Sequence, residues 1–165
     1  MDNKQNQKKL ILAIESQEYE DWIASIQTEL NNQFEIVVLR PNPEEKNVIL
    51  QKMKVYEELA KQTSADLDKN LGIIICGSGL EASIALNKYK GIRAGLVSTY
   101  YLAVMTRMHN NANIMVIGAD HTGKKAGIQF VLPFLTNNLE VGPGKYHATR
   151  VDKLTNIQNY QQTSC

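Results

Sequence analysis

Apolar residues recur along the chain in two alternating rhythms. Residues 10–14, 34–39, 72–76, 93–97 and 114–118 are short, largely apolar runs that read as strands, and in 72–76 three β-branched residues in a row give the pattern of a strand buried on both faces. Between them lie stretches with helical spacing. Residues 20–31 place Trp22, Ile23, Ile26 and Leu30 on one face. Residues 47–64 do the same with Ile49, Met53, Tyr56 and Ala60, after Pro41 and Pro43 stop the second run. Residues 80–88 predict a short helix. The next helix is capped by Ser98 or Thr99, with Tyr101, Val104, Met105 and Met108 as its core face. Residues 124–138 predict another, with Ile128, Val131, Leu132 and Leu135 inward and a bend at Pro133. Residues 141–144 read as a loop, and a last helix runs from about Arg150 with Val151, Leu154 and Ile157 apolar.

Five alternations of strand and helix predict an α/β fold, a parallel sheet covered by helices on both faces with right-handed crossovers. The reading is a single domain over residues 1–165, with polar, frayed tails at 1–9 and 158–165. No strand follows the last helix, so its narrow apolar stripe is expected to dock on a partner subunit.

Composition narrows the function classes. A length of 165 residues suits one core, and 43% apolar with 21% charged residues is ordinary for a globular chain. A net charge of +1 argues against general nucleic-acid binding and against electrostatic membrane attachment. No apolar run approaches a membrane span or the core of an export signal. The two cysteines, Cys76 and Cys165, form no disulfide framework, which fits a cytoplasmic, reduced protein.

The chemistry concentrates at Gly72-Ile-Ile-Ile-Cys-Gly-Ser-Gly-Leu-Glu-Ala-Ser83. A thiol sits where a central strand ends and a helix begins, the edge at which open α/β sheets bind ligands. Free amides and the helix dipole would hold an anion there and lower the pKa of Cys76. A buried structural cysteine beside a tight turn fits the spacing equally. Gly77-Ser-Gly79-Leu-Glu-Ala82 also fits a dinucleotide fingerprint, but it follows the third strand and lacks the acidic residue about 20 positions on. His109, in Arg107-Met-His-Asn-Asn111, is a neutral-pH acid or base or else a helix-end cap. Lys145-Tyr-His147-Ala-Thr-Arg150 offers cations for a phosphate, or else is a solvated basic loop. His121 reads as a loop residue. No spacing of His, Cys and carboxylates suggests a metal site, and no cofactor is expected.

Four stretches, Gly72-Ile-Ile-Ile-Cys-Gly-Ser-Gly79, Ala85-Leu-Asn-Lys-Tyr-Lys-Gly-Ile-Arg-Ala94, Arg107-Met-His-Asn-Asn-Ala-Asn113 and His147-Ala-Thr-Arg-Val-Asp152, resemble the ribose-5-phosphate isomerase B and galactose-6-phosphate isomerase family. The resemblance implies a Rossmann-like, five-stranded parallel sheet, no metal, and sites built across a dimer interface. It implies that Cys76 moves a proton between C1 and C2 of an open-chain sugar phosphate, with Ser78 beside it where the family usually has threonine. Amides from Gly77, Gly79 and Leu80 match the hole for the enediolate oxygen. His109 matches the ring-opening residue, with Asn110 adjacent, and Arg150 a phosphate ligand reaching in from the neighbouring subunit. Lys145 and His147 lie beside it; Lys145 is a stand-in where Tyr146 replaces a second arginine. Glu15 and Ser16 stand where the family carries Asp-His, and Glu81 where it carries glycine; the usual Asp-Tyr-Pro after the second strand is missing. Arg107-x-His-Asn-Asn-Ala and Arg150-Val-Asp-x-Leu154 are close to the A-type subunit of galactose-6-phosphate isomerase, which lends its histidine and arginine to a partner's site. The implied assembly is a homodimer or larger homo-oligomer, or a heteromer with a paralogous subunit.

Overall fold

The computed structural model describes residues 8–160. Residues 1–7 and 161–165, Cys165 among them, lie outside the described residues. The strands are β1 (Lys9–Ile14), β2 (Glu35–Leu39), β3 (Asn70–Cys76), β4 (Ala94–Leu96) and β5 (Ile114–Gly118). They pair in parallel in the order β2-β1-β3-β5-β4. The helices are α1 (Glu20–Leu30), α2 (Val48–Ser64), α3 (Leu80–Leu86), α4 (Tyr100–Asn110), α5 (Lys124–Thr136) and α6 (Tyr146–Tyr160).

The period of two along each strand divides the core. Leu10, Leu12 and Ile14 of β1, with Ile73 and Ile75 of β3 and Met115 and Ile117 of β5, pack against α1, α4 and α5. Ile11 and Ala13, with Ile74, Cys76, Ile114 and Val116, pack against α2 and α3. Every β3 residue is buried, as the unbroken apolar run requires of a central parallel strand.

Local chemistry sets the helix ends. Asn47 Oδ1 accepts from the amides of Ile49 (3.0 Å) and Leu50 (3.2 Å), and Thr99 Oγ1 accepts from that of Leu102 (3.2 Å), each satisfying orphan donors of a first turn. Asn31 and Asn111 end α1 and α4 in the left-handed region, at φ 41° and 46°.

The face of α4 differs from its expected orientation, and that of α2 holds at Tyr56 and Ala60 but departs in its first turn. In α2 the buried stripe is Val55, Tyr56, Leu59, Ala60 and Thr63, and Ile49 is 67% exposed. In α4 the buried positions are Ala103 and Arg107, and Tyr101 is 67% exposed. The apolar stripe of each helix is wide enough to allow more than one orientation, and packing against the sheet selects one. In α4 the small side chain at Ala103 turns toward the core. Arg107 is buried because its guanidinium donates to Ala112 O (2.7 Å), Asn111 Oδ1 (2.9 Å) and Asn137 O (3.3 Å). The last helix begins at Tyr146, four residues before its expected start at Arg150, and residues 143–145 form a single 3-10 turn rather than open loop. Lys9, expected in a frayed tail, is the first residue of β1.

Candidate functional site

Strand parity brings two candidate side chains to one face. Glu15 follows Ile11 and Ala13 on the α2 side of β1, and Cys76 ends β3 on the same side. Ile14 pairs with Ile75, and the Glu15 amide donates to Ile75 O at 3.0 Å, which sets Glu15 beside Cys76. Above them, Lys52 and Tyr56 lie one turn apart on α2. The Glu15 carboxylate accepts from Tyr56 Oη at 3.0 Å and forms an ion pair with Lys52. The meeting of β1 and β3 is a point where strand order reverses, the place at which doubly wound sheets open a ligand crevice. Here the crevice measures about 650 Å³, and its lining includes Glu15, Ser16, Tyr19, Lys52, Gly77 and Asp120.

The Cys76 thiol is fully buried and lies 3.6 Å from Ile117 O. Burial, followed by the negative charge of Glu15, pushes its pKa up to about 12. The expected lowering is thus reversed. The Gly79 amide and the Lys52 charge do favour the thiolate. They are outweighed because the thiol is buried and the negative charge of Glu15 lies beside it.

The turn after β3 depends on glycine at two places. Gly79 caps α3 at φ 80°, and a Cβ there would lie 2.4 Å from Leu96 Cδ1. At Gly118 the neighbouring turn comes so close that a Cβ would lie 2.5 Å from Ser78 O. Ser78 Oγ accepts from the Leu80 amide at 3.3 Å, and His121 Nε2 sits 3.0 Å from Ser78 O, so His121 braces the turn. Glu81 is exposed, yet its charge is close enough to raise the pKa values of Lys52 and Tyr56.

A second cluster forms elsewhere. His109, in the last turn of α4, stacks on His147, in the first turn of α6, with ring centroids 4.1 Å apart and planes 5° from parallel. His109 Nε2 lies 3.8 Å from Glu140 Oε2. Tyr146 meets His147 edge-on at 5.5 Å, and the Arg150 guanidinium lies 4.8 Å over the Tyr146 ring. Arg150 lines a hollow with Tyr146, Thr149 and Lys153, whereas Asn110 lines another with Arg93, Thr106 and Leu154. Lys145 is exposed in the turn before α6. Because α6 starts early, His147 and Arg150 are helical residues and not part of a solvated loop. Of the sequence-predicted residues, the structure unites Glu15, Cys76, Gly77 and Gly79; Glu15 and Gly77 line the crevice, whereas Cys76 is buried and outside its lining; it pairs His109 with His147; and none of His109, Asn110, Lys145, His147 or Arg150 lines that crevice.

Lys52, Tyr56, Asp120 and Glu140 escaped the sequence reading. Lys52 and Tyr56 have helical spacing, but nothing local shows that a carboxylate from β1 lies beneath them. Glu140 reaches His109 because its amide donates to Met108 O at 2.8 Å, a contact across 32 residues that only the fold creates.

The sequence model of the family described as Ribose/Galactose Isomerase matches residues 15–154. The chain belongs to that family. Among members, it is 36% identical over 96 residues to a probable ribose-5-phosphate isomerase B of Mycoplasma genitalium, covering 58% of this chain and 61% of the relative. It is 38% identical over 90 residues to galactose-6-phosphate isomerase subunit LacA of Streptococcus mutans, covering 54% and 61%. The matched stretch thus spans about three fifths of these curated relatives, 61% in both cases. The solved structure of Mycoplasma genitalium ribose-5-phosphate isomerase B with bound ribulose-5-phosphate superposes with a TM-score of 0.74 at 29% identity, covering 92% of this chain and 96% of the other. The family's fold, a five-stranded parallel sheet with helices on both faces, is the one found here. Among the described residues, no helix is long and apolar enough to cross a membrane.

Proposed function

We propose that this protein is an aldose–ketose isomerase of a phosphorylated sugar, ribose 5-phosphate or galactose 6-phosphate, working through Cys76 and an enediolate. The observation that carries this reading is the buried Cys76–Glu15 pair at the reversal of strand order, inside a chain of the Ribose/Galactose Isomerase family. A thiol with a pKa near 12 rests protonated at neutral pH, so it needs a proton acceptor before it can act as a base. Glu15, whose carboxylate lies beside the thiol, is that acceptor, and Lys52 and Tyr56 hold its carboxylate in place. The resulting thiolate takes the C2 proton of the open-chain aldose, leaving an enediolate; a proton passes from O2 to O1, the thiol delivers its proton to C1 to give the ketose, and Glu15 returns its proton to the thiolate. Amides at Gly77, Gly79 and Leu80 hold the enediolate oxygen, with Ser78 Oγ at the same turn. The balance needs no oxidant and no cofactor, because the hydrogen lost at one carbon is regained at its neighbour.

His109, Asn110, Lys145, His147 and Arg150 fall outside the crevice of their own chain. In the same reading they serve the crevice of a second copy. His109 opens the sugar ring, and the basic residues around Arg150 hold the phosphate. Catalysis is then a property of the dimer. The experiment is an assay of purified protein against pentose and hexose phosphates, followed by co-refolding of Cys76→Ala with His109→Ala. Each variant alone is inactive. A mixed dimer has one site with both defects and one with neither, so activity returns in part. No recovery on mixing overturns the shared site.

The likeness to subunit LacA favours a second reading, a partner subunit that completes the site of a different, paralogous chain. In that case the unmutated protein is inactive alone and gains activity when the cognate chain is added.

A further inference from the structure

We propose that His109, Glu140 and His147 form a binding site for a transition-metal dication such as Zn²⁺, and that its occupancy switches the isomerase off. Each residue offers one ligand atom, and the three atoms lie within 4.8 Å of one another. A tetrahedral Zn²⁺ with bonds of about 2.0–2.1 Å sets its donors about 3.4 Å apart, so closing the cluster takes only small side-chain movements. The parallel rings now hold their lone pairs in separate planes; turning one imidazole about its soft terminal torsion makes them converge.

The backbone already assembles the ligands. The Glu140 amide donates to Met108 O at 2.8 Å, next to His109, and the His147 amide donates to Val141 O at 3.2 Å, next to Glu140. His147 Nδ1 is buried and has no hydrogen-bond partner among the described residues, so this ring nitrogen is uncommitted. Two imidazoles alone suit an anion when protonated and a metal when neutral. The Glu140 carboxylate, 3.8 Å from His109 Nε2, decides for the cation. Two histidines and a glutamate supply the borderline N/O donor set that Zn²⁺, Co²⁺ and Ni²⁺ accept, with a position left for water. Arg150 does not compete, since its guanidinium lies over Tyr146.

The site stands on geometry alone; the inhibition rests on the proposed role of His109. A bound metal takes the lone pair that His109 needs for ring opening, so isomerisation from the closed sugar stops while the Cys76 crevice stays intact.

The test uses untagged, chelator-dialysed protein in a Cys165→Ser background, titrated with Co²⁺ and followed by its visible absorption. Saturable binding with displacement by Zn²⁺ is expected. Glu140→Gln and His147→Ala should each weaken it by at least about tenfold, the loss that even outer-shell changes commonly cause, and His121→Ala should leave it unchanged. Glu140 is exposed, so its isosteric exchange leaves folding untouched. Absence of saturable Co²⁺ binding, or equal binding by all variants, overturns the site. In the activity arm, Zn²⁺ inhibits the unmutated protein and spares Glu140→Gln. Co²⁺ binding that leaves the turnover of closed-ring substrate unchanged retains the site and overturns the switch. An isomerase-inactive protein that binds Co²⁺ in the expected pattern retains the site and overturns the switch together with the proposed activity.

Discussion

Cys76 shows how one residue's surroundings reverse a local expectation. A helix N-terminus lowers a thiol's pKa, yet here burial and Glu15 raise it to about 12. Two measurements follow. The alkylation rate of Cys76 should climb with pH toward a midpoint near 12. Glu15→Gln removes a negative neighbour and should shift that midpoint down, while isomerase turnover falls because the proton acceptor is gone. Faster alkylation together with undiminished turnover would remove Glu15 from the proposed proton path. The same shift is a statement about stability. A thiol whose pKa is 9.0 in the free state and about 12 when folded contributes stability below pH 9 that is lost between pH 9 and 12. Tyr19, raised from 10.0 to about 12 mainly by burial, acts with the same sign. Urea denaturation across this range should therefore fall less steeply for Cys76→Ala than for the unmutated protein.

At the scale of elements, the turn after β3 and the connection leading into β5 hold the two clusters in place. Gly79→Ala forces a side chain into the left-handed region and against Leu96, and should destabilise by about 1–3 kcal/mol in denaturant titrations. Arg107 ties the end of α4 to the chain leading into β5 and to the end of α5. Arg107→Ala leaves buried carbonyls without donors and should cost about 2–4 kcal/mol. Because His109 lies on the same last turn, amide exchange near Met108 and Glu140 should rise as well. Much of this level was legible beforehand. The Thr99 cap, the bounds of β5 and the burial of β3 all follow from local residue chemistry. The helix face of α4, the first turn of α2 and the start of α6 did not, because a wide apolar stripe permits several rotations and a basic stretch can be loop or helix.

At the scale of the molecule, the large apolar side chains left outside are the informative ones. Leu80 and Ile84 of α3 and Tyr100, Tyr101 and Leu102 of α4 are exposed, as are Leu154 and Ile157 of α6. Exposed apolar clusters of this kind mark interfaces. In the proposed reading they are covered by a second copy, which carries His109 to Cys76. Tyr101→Asp should therefore lower the sedimentation coefficient and abolish isomerase activity while leaving the monomer's circular dichroism unchanged. A variant that sediments like the unmutated protein would place the interface elsewhere.

The order of strands and helices, the parallel sheet, the cysteine at the end of β3 and the two histidine-bearing stretches were all legible in the sequence. Each is written in the period or residue type of a short segment, and the four quoted motifs carried the family. The tertiary structure alone decided the rest. It placed Glu15, Lys52 and Tyr56 around Cys76, raised the thiol's pKa, joined Glu140 to His109 and His147, and kept that cluster out of the crevice of its own chain. The reason is physical. Burial and charge at a site sum over residues tens of positions apart, and no local rhythm records which of them will meet.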